Sequence, residues 1–285
     1  MKERNDDYLR MMEVFLHCGQ AVAGKTIPAG LSWQKDIEPL TMKCLFHLGS
    51  MYALQDGTKL PDMLGVSIGF IDIPSMTILA RAAFENYLAF NYIFVQPATN
   101  EEKQFRYDVW RLGGLKDRQK FVISVPEYNA IQQKEAPQVA ELEQKVAGNP
   151  LYHQLPPKRQ VEAIRGQWRF DKSWGRLAEM ADIHRTFFGN LYTYFCSYAH
   201  TGNLSVIQMA EPAVVEEQRR RAAFLPGVGL FIMAKYILDY CGLFPESQEV
   251  LNNNREYRDL VDEYHFSADR WEEYTQGKQV ADDQV

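Results

Sequence analysis

The stretch PSMTILARAAFENYLAFNYIFV, residues 74–95, decides the fold. Apolar side chains cover it on every side: Ile78, Leu88 and Tyr92 on one face, Leu79, Ala83, Phe90 and Phe94 on the opposite one. Pro74 takes the favoured first-turn position of a helix, and Pro97 follows its end. A helix that is apolar all round belongs at the centre of a bundle. Two charges interrupt this one, Arg81 and Glu85, one turn apart. With Arg preceding Glu, such a pair is worth only tenths of a kcal/mol on a surface, and when buried it seldom repays its desolvation. Two readings stand: an ion pair that fixes packing, or a polar centre that orients a catalytic group or grips an anion.

A second helix shows the same mixture. In HRTFFGNLYTYFCSYAHTGN, residues 184–203, the polar side chains Thr186, Asn190, Thr193, Ser197 and His200 recur at helical spacing through an otherwise aromatic run. The plain reading is a solvent-facing stripe. The crowding of Phe187, Phe188, Leu191, Tyr192, Tyr194, Phe195 and Tyr198 favours burial on most sides. His200 stands at the helix end, where the dipole favours a charged imidazole, so it suits acid–base chemistry near neutral pH. Ser197 lies three residues earlier on the same face. No G-x-S-x-G elbow precedes it, which argues against an α/β-type hydrolase. Cys196 and His200 are spaced for metal ligation but lack further ligands nearby, and no metal or cofactor is expected. Lys43 and His47, on the second helix, form one more polar pair among leucines, either partly exposed or facing the same centre.

Working outward, nearly every segment repeats at the helical period, which predicts an all-α chain. Helices are expected over 5–23, 34–55, 100–124, 127–147, 176–201, 211–243 and 247–274, besides the quoted stretch. Thr99 with Glu102 is a capping-box match. Residues 59–73 are ambiguous between a short strand and a buried connector, with the connector favoured. Residues 148–175 read as a loop-rich insertion. The expected organisation is a single helical domain over 1–276 with a disordered tail at 277–285.

Composition bounds the class of protein. The chain has 285 residues, 46% hydrophobic and 24% charged, the balance of a soluble globular protein with a substantial core. The net charge of −6 argues weakly against non-specific coating of nucleic acid. Basic residues nevertheless gather in two places: Lys103, Arg106, Arg111, Lys116, Arg118 and Lys120, then Lys158, Arg159, Arg165, Arg169, Lys172 and Arg176. Charge runs are usually solvated helix faces. The sharper reading is a phosphate-binding surface on which Trp168 and Trp174 stack bases. Cys18, Cys44, Cys196 and Cys241 are widely spaced, as reduced buried thiols are. The opening MKERNDDYLRMMEVF lacks a signal-peptide core. The most apolar run, 224–244, is interrupted by Pro226, Lys235 and Asp239, so no membrane association and a cytoplasmic location are expected.

Taken together, Lys43, the Arg81-x-x-x-Glu85 pair and the late Ser197-x-x-His200 resemble a bacterial all-helical family of unknown function, itself distantly similar to the HEPN superfamily. The resemblance covers about residues 35–205. It implies a HEPN-like bundle, homodimerisation, and a metal-independent ribonuclease of toxin, stress or phage-defence type. Arg81, Glu85, Ser197 and His200 would be its catalytic residues, RNA or a nucleotide its partner, and Arg165, Arg169, Lys172 and Arg176 its RNA-binding residues. The usual superfamily motif, an Arg a few residues before a His, is missing around His200. It is met formally by Arg258 and His265 on the acidic last helix, an alternative pair. The competing reading is a non-catalytic helical module for binding or oligomerisation, its polar centre serving structure alone.

Overall fold

The computed structural model describes residues 2–63, 65–122, 124–210 and 214–273. The fold is all-α. In chain order the helices are α1 (Lys2–Gln20), α2 (Ile37–Leu54), α3 (Ile73–Phe90), α4 (Asn100–Gln119), α5 (Pro126–Ala147), α6 (Pro150–Gln154) and α7 (Pro157–Ile164). They continue as α8 (Trp174–Met180), α9 (Arg185–Ala199), α10 (Asn203–Ala210), α11 (Val215–Ala222), α12 (Leu225–Leu243), α13 (Pro245–Asn253) and α14 (Arg255–Tyr264). One hairpin, β1 (Thr58–Met63) with β2 (Val66–Phe70), packs against α11.

Helix α3 is the axis of the molecule, extended by a π-turn over Asn91–Val95. The Asp72 carboxylate accepts from Ser75 N at 3.0 Å, which caps its start. Met76, Ala80, Ala83, Phe84, Tyr87, Leu88 and Phe90 are buried, as an all-round apolar helix requires. Helix α2 runs antiparallel beside it, tied by Asn86 Nδ2 donating to Leu40 O at 3.1 Å and by Cys44 Sγ against Ala83 O. Helix α12 covers another side, with the Tyr236 ring stacked 4.2 Å from Phe90. Tyr87 and Asn91 both donate to the Asp239 carboxylate, at 2.9 and 2.7 Å, so the acid that interrupts α12 is satisfied in the core. By length and composition Val215–Leu243 is apolar enough to cross a membrane, but 72% of its most apolar window is buried in the bundle.

A smaller apolar cluster joins α4, α5 and α7 through Phe105, Val109, Leu112, Leu142, Val146, Ala163 and Phe170. Trp168 packs against both clusters. Thr99 Oγ1 accepts from Glu102 N at 3.1 Å and opens α4 as the capping box predicts, while the Glu102 carboxylate reaches Ala98 N.

Several expected boundaries are corrected. Residues 59–73 hold a strand pair, not a buried connector; its register slips between Leu60 and Met63, where Pro61 has no N–H for the ladder. The expected loop at 148–175 contains α6, α7 and the start of α8, each opened by proline or by the Ser173 cap. The helix expected over 176–201 breaks where Asp182 turns left-handed at φ 55°. The one expected over 247–274 breaks at Asn254, which is extended and caps Tyr257 N. Pro226 restarts the 211–243 run as α12. Residues 211–213 and the tail at 277–285 lie outside the described residues.

Candidate functional site

The structure brings Arg81, Glu85 and His200 together. Helix α9 packs across α3, braced by an edge-on contact of Phe84 with Phe188 at 5.3 Å and by Phe188 stacked on Tyr192 at 5.0 Å. Arg81 Nε donates to Glu85 Oε1 at 2.9 Å, and Arg81 Nη1 lies 3.0 Å from His200 Nε2. Tyr192 completes the group. Its hydroxyl donates to Glu85 Oε1 at 2.6 Å and accepts from Arg81 Nη2 at 3.3 Å. The Arg81 and Glu85 side chains are 19% and 26% exposed and His200 is exposed, so the group sits at the wet edge of the bundle, not sealed within it.

A guanidinium donates only, so in its contact with Arg81 the acceptor is His200 Nε2. Burial acts to lower the Arg81 pKa, but the hydrogen bond and charge of Glu85, with Tyr192, outweigh it and raise it overall. Burial, then the Glu85 contact, holds the Tyr192 hydroxyl well above the usual phenol range. The result is a cation whose Nη1 N–H is directed at the imidazole Nε2.

His200 is aimed by the end of α9. It has left helical geometry at φ −112°, ψ 17°, and Thr201 is left-handed at φ 54°. Gly202 N then donates back to Ser197 O at 2.7 Å, a Schellman-type closure. A Cβ on Gly202 would lie 2.8 Å from Ser197 Oγ and 3.2 Å from its Cα, so a larger residue there forces the serine or the turn to shift.

Ser197 therefore does a different job from the one expected. Its Oγ accepts from Ser205 N at 3.2 Å and joins α9 to α10; no hydrogen bond links it to His200. Thr186, Asn190 and Thr193 are exposed, as the solvent-stripe reading has it. Lys43 is exposed and His47 half-buried, its pKa pulled down by burial and by Lys43; neither touches the polar centre. The alternative pair is not assembled. Arg258 donates to Asn252, and nothing links it to His265, a half-buried ring beyond the end of α14. Among the described residues, no three His, Cys, Asp or Glu side chains converge as metal ligands would.

The basic stretches are mostly neutralised. Arg106 pairs with Glu102, Lys116 with Glu143, Arg118 with Glu135, and Lys158 and Arg159 with Glu162 and Asp171. Of the four expected RNA-binding residues, Arg176 pairs with Glu179 at 3.0 Å and Arg165 is an exposed cation at the end of α7. Arg169 and Lys172 line a cleft beside α4 that shares no residue with the polar centre. The sequence reading missed Tyr192 as a member of the site. The one available signal was its place two turns before His200 on the same helix.

Comparison with protein-family models, with curated proteins and with solved structures finds no match to this chain.

Proposed function

We propose that this chain is a HEPN-like, metal-independent ribonuclease of toxin, stress or phage-defence type. The observation that carries the reading is the 3.0 Å contact of Arg81 Nη1 with His200 Nε2 at a solvent-reached surface. In the proposed reaction an RNA phosphate draws the Arg81 guanidinium toward its oxygens and so frees Nε2. His200 takes the proton of the 2′-hydroxyl, O2′ forms a bond to phosphorus, and the bond from phosphorus to the 5′-oxygen breaks. The departing oxygen takes a proton from solvent. Arg81 stabilises the charge gathering on the phosphorane, while Glu85 and Tyr192 fix its orientation. Positioned acid–base and electrostatic groups of this kind each contribute about 10²–10⁴-fold in rate.

The test is cleavage of a fluorescently labelled RNA in the presence of EDTA. The expected result is 2′,3′-cyclic phosphate ends from RNA and no cleavage of the same strand carrying 2′-O-methyl groups. Equal cleavage of the methylated strand, or activity that EDTA removes, contradicts the mechanism.

A second reading, a helical oligomerisation module, is favoured by α10, which exposes Leu204, Val206, Ile207 and Met209 directly after the site. On that reading the expected homodimer buries this face. Light scattering that shows a dimer for the native chain and a monomer for Ile207→Glu supports it.

A further inference from the structure

We propose that the cleft between α4 and the turn of residues 166–172 binds a nucleoside phosphate, at a site separate from Arg81 and His200. It encloses about 820 Å³ and is lined in part by Trp110, Arg111, Gly114, Trp168, Arg169 and Lys172. Small-molecule sites span roughly 300–1,000 Å³, so a nucleotide fits and a bare phosphate leaves most of the space empty.

The walls are held by backbone. A Cβ on Gly166 would lie 2.3 Å from Gly113 Cα, and one on Gly113 would lie 2.4 Å from Gly166 O. Helix α4 and the turn therefore meet without side chains between them, and Gly166 is left-handed at φ 74°. The turn goes on through two further left-handed residues, Phe170 and Asp171.

The charges do not balance. Every carboxylate on the lining is engaged: Asp36 accepts from Tyr107 at 2.9 Å, Asp117 pairs with Lys120 at 2.8 Å, and Asp171 pairs with Lys158 at 2.7 Å and Arg159 at 3.1 Å. Arg111 makes a loose contact with Asp36 at 3.7 Å and lies 5.5 Å over the Tyr107 ring. Among the described residues, Arg169 and Lys172 have no carboxylate within ion-pair distance. Arg169 instead lies 4.7 Å over the Trp174 ring, and Lys172 Nζ is 3.4 Å from the Tyr92 hydroxyl. Partial burial holds the Lys172 pKa down, and so do its neighbours Arg106, Arg159 and Arg176, against a smaller opposing pull from Glu162. Half-buried cations that no carboxylate contacts directly are costly until an anion arrives. The half-buried indoles of Trp110 and Trp168 stand beside them, and aromatic faces stack on any base. Anion and ring are thus served in one concavity, which is the chemistry of a nucleotide.

This proposal does not rest on the ribonuclease reading. The test is calorimetric titration of the whole chain with ATP, adenosine and inorganic phosphate. ATP is expected to bind at least tenfold more tightly than either fragment. Lys172→Ala and Arg169→Ala are each expected to weaken ATP at least tenfold. Gly114→Leu places a side chain where nothing lies within 4 Å and so fills the cleft without changing charge; it is expected to abolish binding while the circular dichroism stays native. A 5′-phosphorylated 2′-O-methyl RNA decamer separates the sources. Tighter binding than ATP identifies a strand end as the ligand, and weaker binding identifies a free nucleotide. Absence of ATP and decamer binding, or ATP binding unchanged in both Lys172→Ala and a natively folded Gly114→Leu, overturns the site, whatever RNA cleavage the protein shows.

Discussion

At the residue scale, Arg81 is the hub, because one planar guanidinium spends separate N–H groups on Glu85, Tyr192 and His200. Lysine keeps the charge but cannot hold that fork. Arg81→Lys is expected to fold normally and to lose about 10²-fold in RNA cleavage, read as single-turnover rate. Tyr192→Phe removes the donor to Glu85 and is expected to cost about 1.5 kcal/mol in urea unfolding, the scale of a hydrogen bond to a charged group. Activity should fall with it as Arg81 loses its anchor. Arg81 and Glu85 stood out in the sequence as candidates because charge on an all-round apolar helix is costly unless paired or used, and His200 because it ends an aromatic helix. Tyr192 did not, since six aromatic residues stand between positions 187 and 198 and nothing local marks one as a donor. Ser197 was misread for a physical reason. Its spacing to His200 implies a shared helical face, but His200 is already outside the helix and points elsewhere.

At the element scale, two glycines decide geometry. Gly202 lets α9 close on Ser197, and Gly166 lets the turn seat on α4. Gly202→Ala is expected to lower stability by about 1–3 kcal/mol, the usual cost of overpacking, and to reduce RNA cleavage by moving His200. A variant with unchanged melting temperature and rate would show that the helix end does not aim the imidazole. The helices themselves were legible from period and caps, and Thr99 opens α4 as its spacing with Glu102 requires. The breaks were not. Asn254 and Asp182 interrupt apolar periodicities that run on through them, and a residue choosing an extended or left-handed conformation under tertiary packing leaves no mark in a hydrophobic pattern. The hairpin at β1 and β2 was underrated because its mixed pattern gives no clean alternation.

At the scale of the whole molecule, burial leaves a pH signature. His47 and His265 both have pKa values lowered by burial, the first helped by Lys43 and the second by Lys235. A base depressed in the folded state is favoured neutral there, so its contribution is present above the unfolded value of 6.5 and is lost as pH falls through 6.5 toward the folded value. Urea midpoints are expected to drop on acidification across that window, and the double variant His47→Gln, His265→Gln should flatten the slope. A slope that survives the double substitution would assign it to other groups. The all-α class and the central place of α3 were readable from composition and period. The meeting of α3 with the end of α9 is a long-range fact that only the packed bundle supplies, and the functional account depends on it. The rate at which native chain and His200→Ala cleave the same RNA, both shown folded by circular dichroism, tests that account most directly. It predicts cleavage by the native chain and a loss of at least 10²-fold in the variant; cleavage by His200→Ala at the native rate would contradict it.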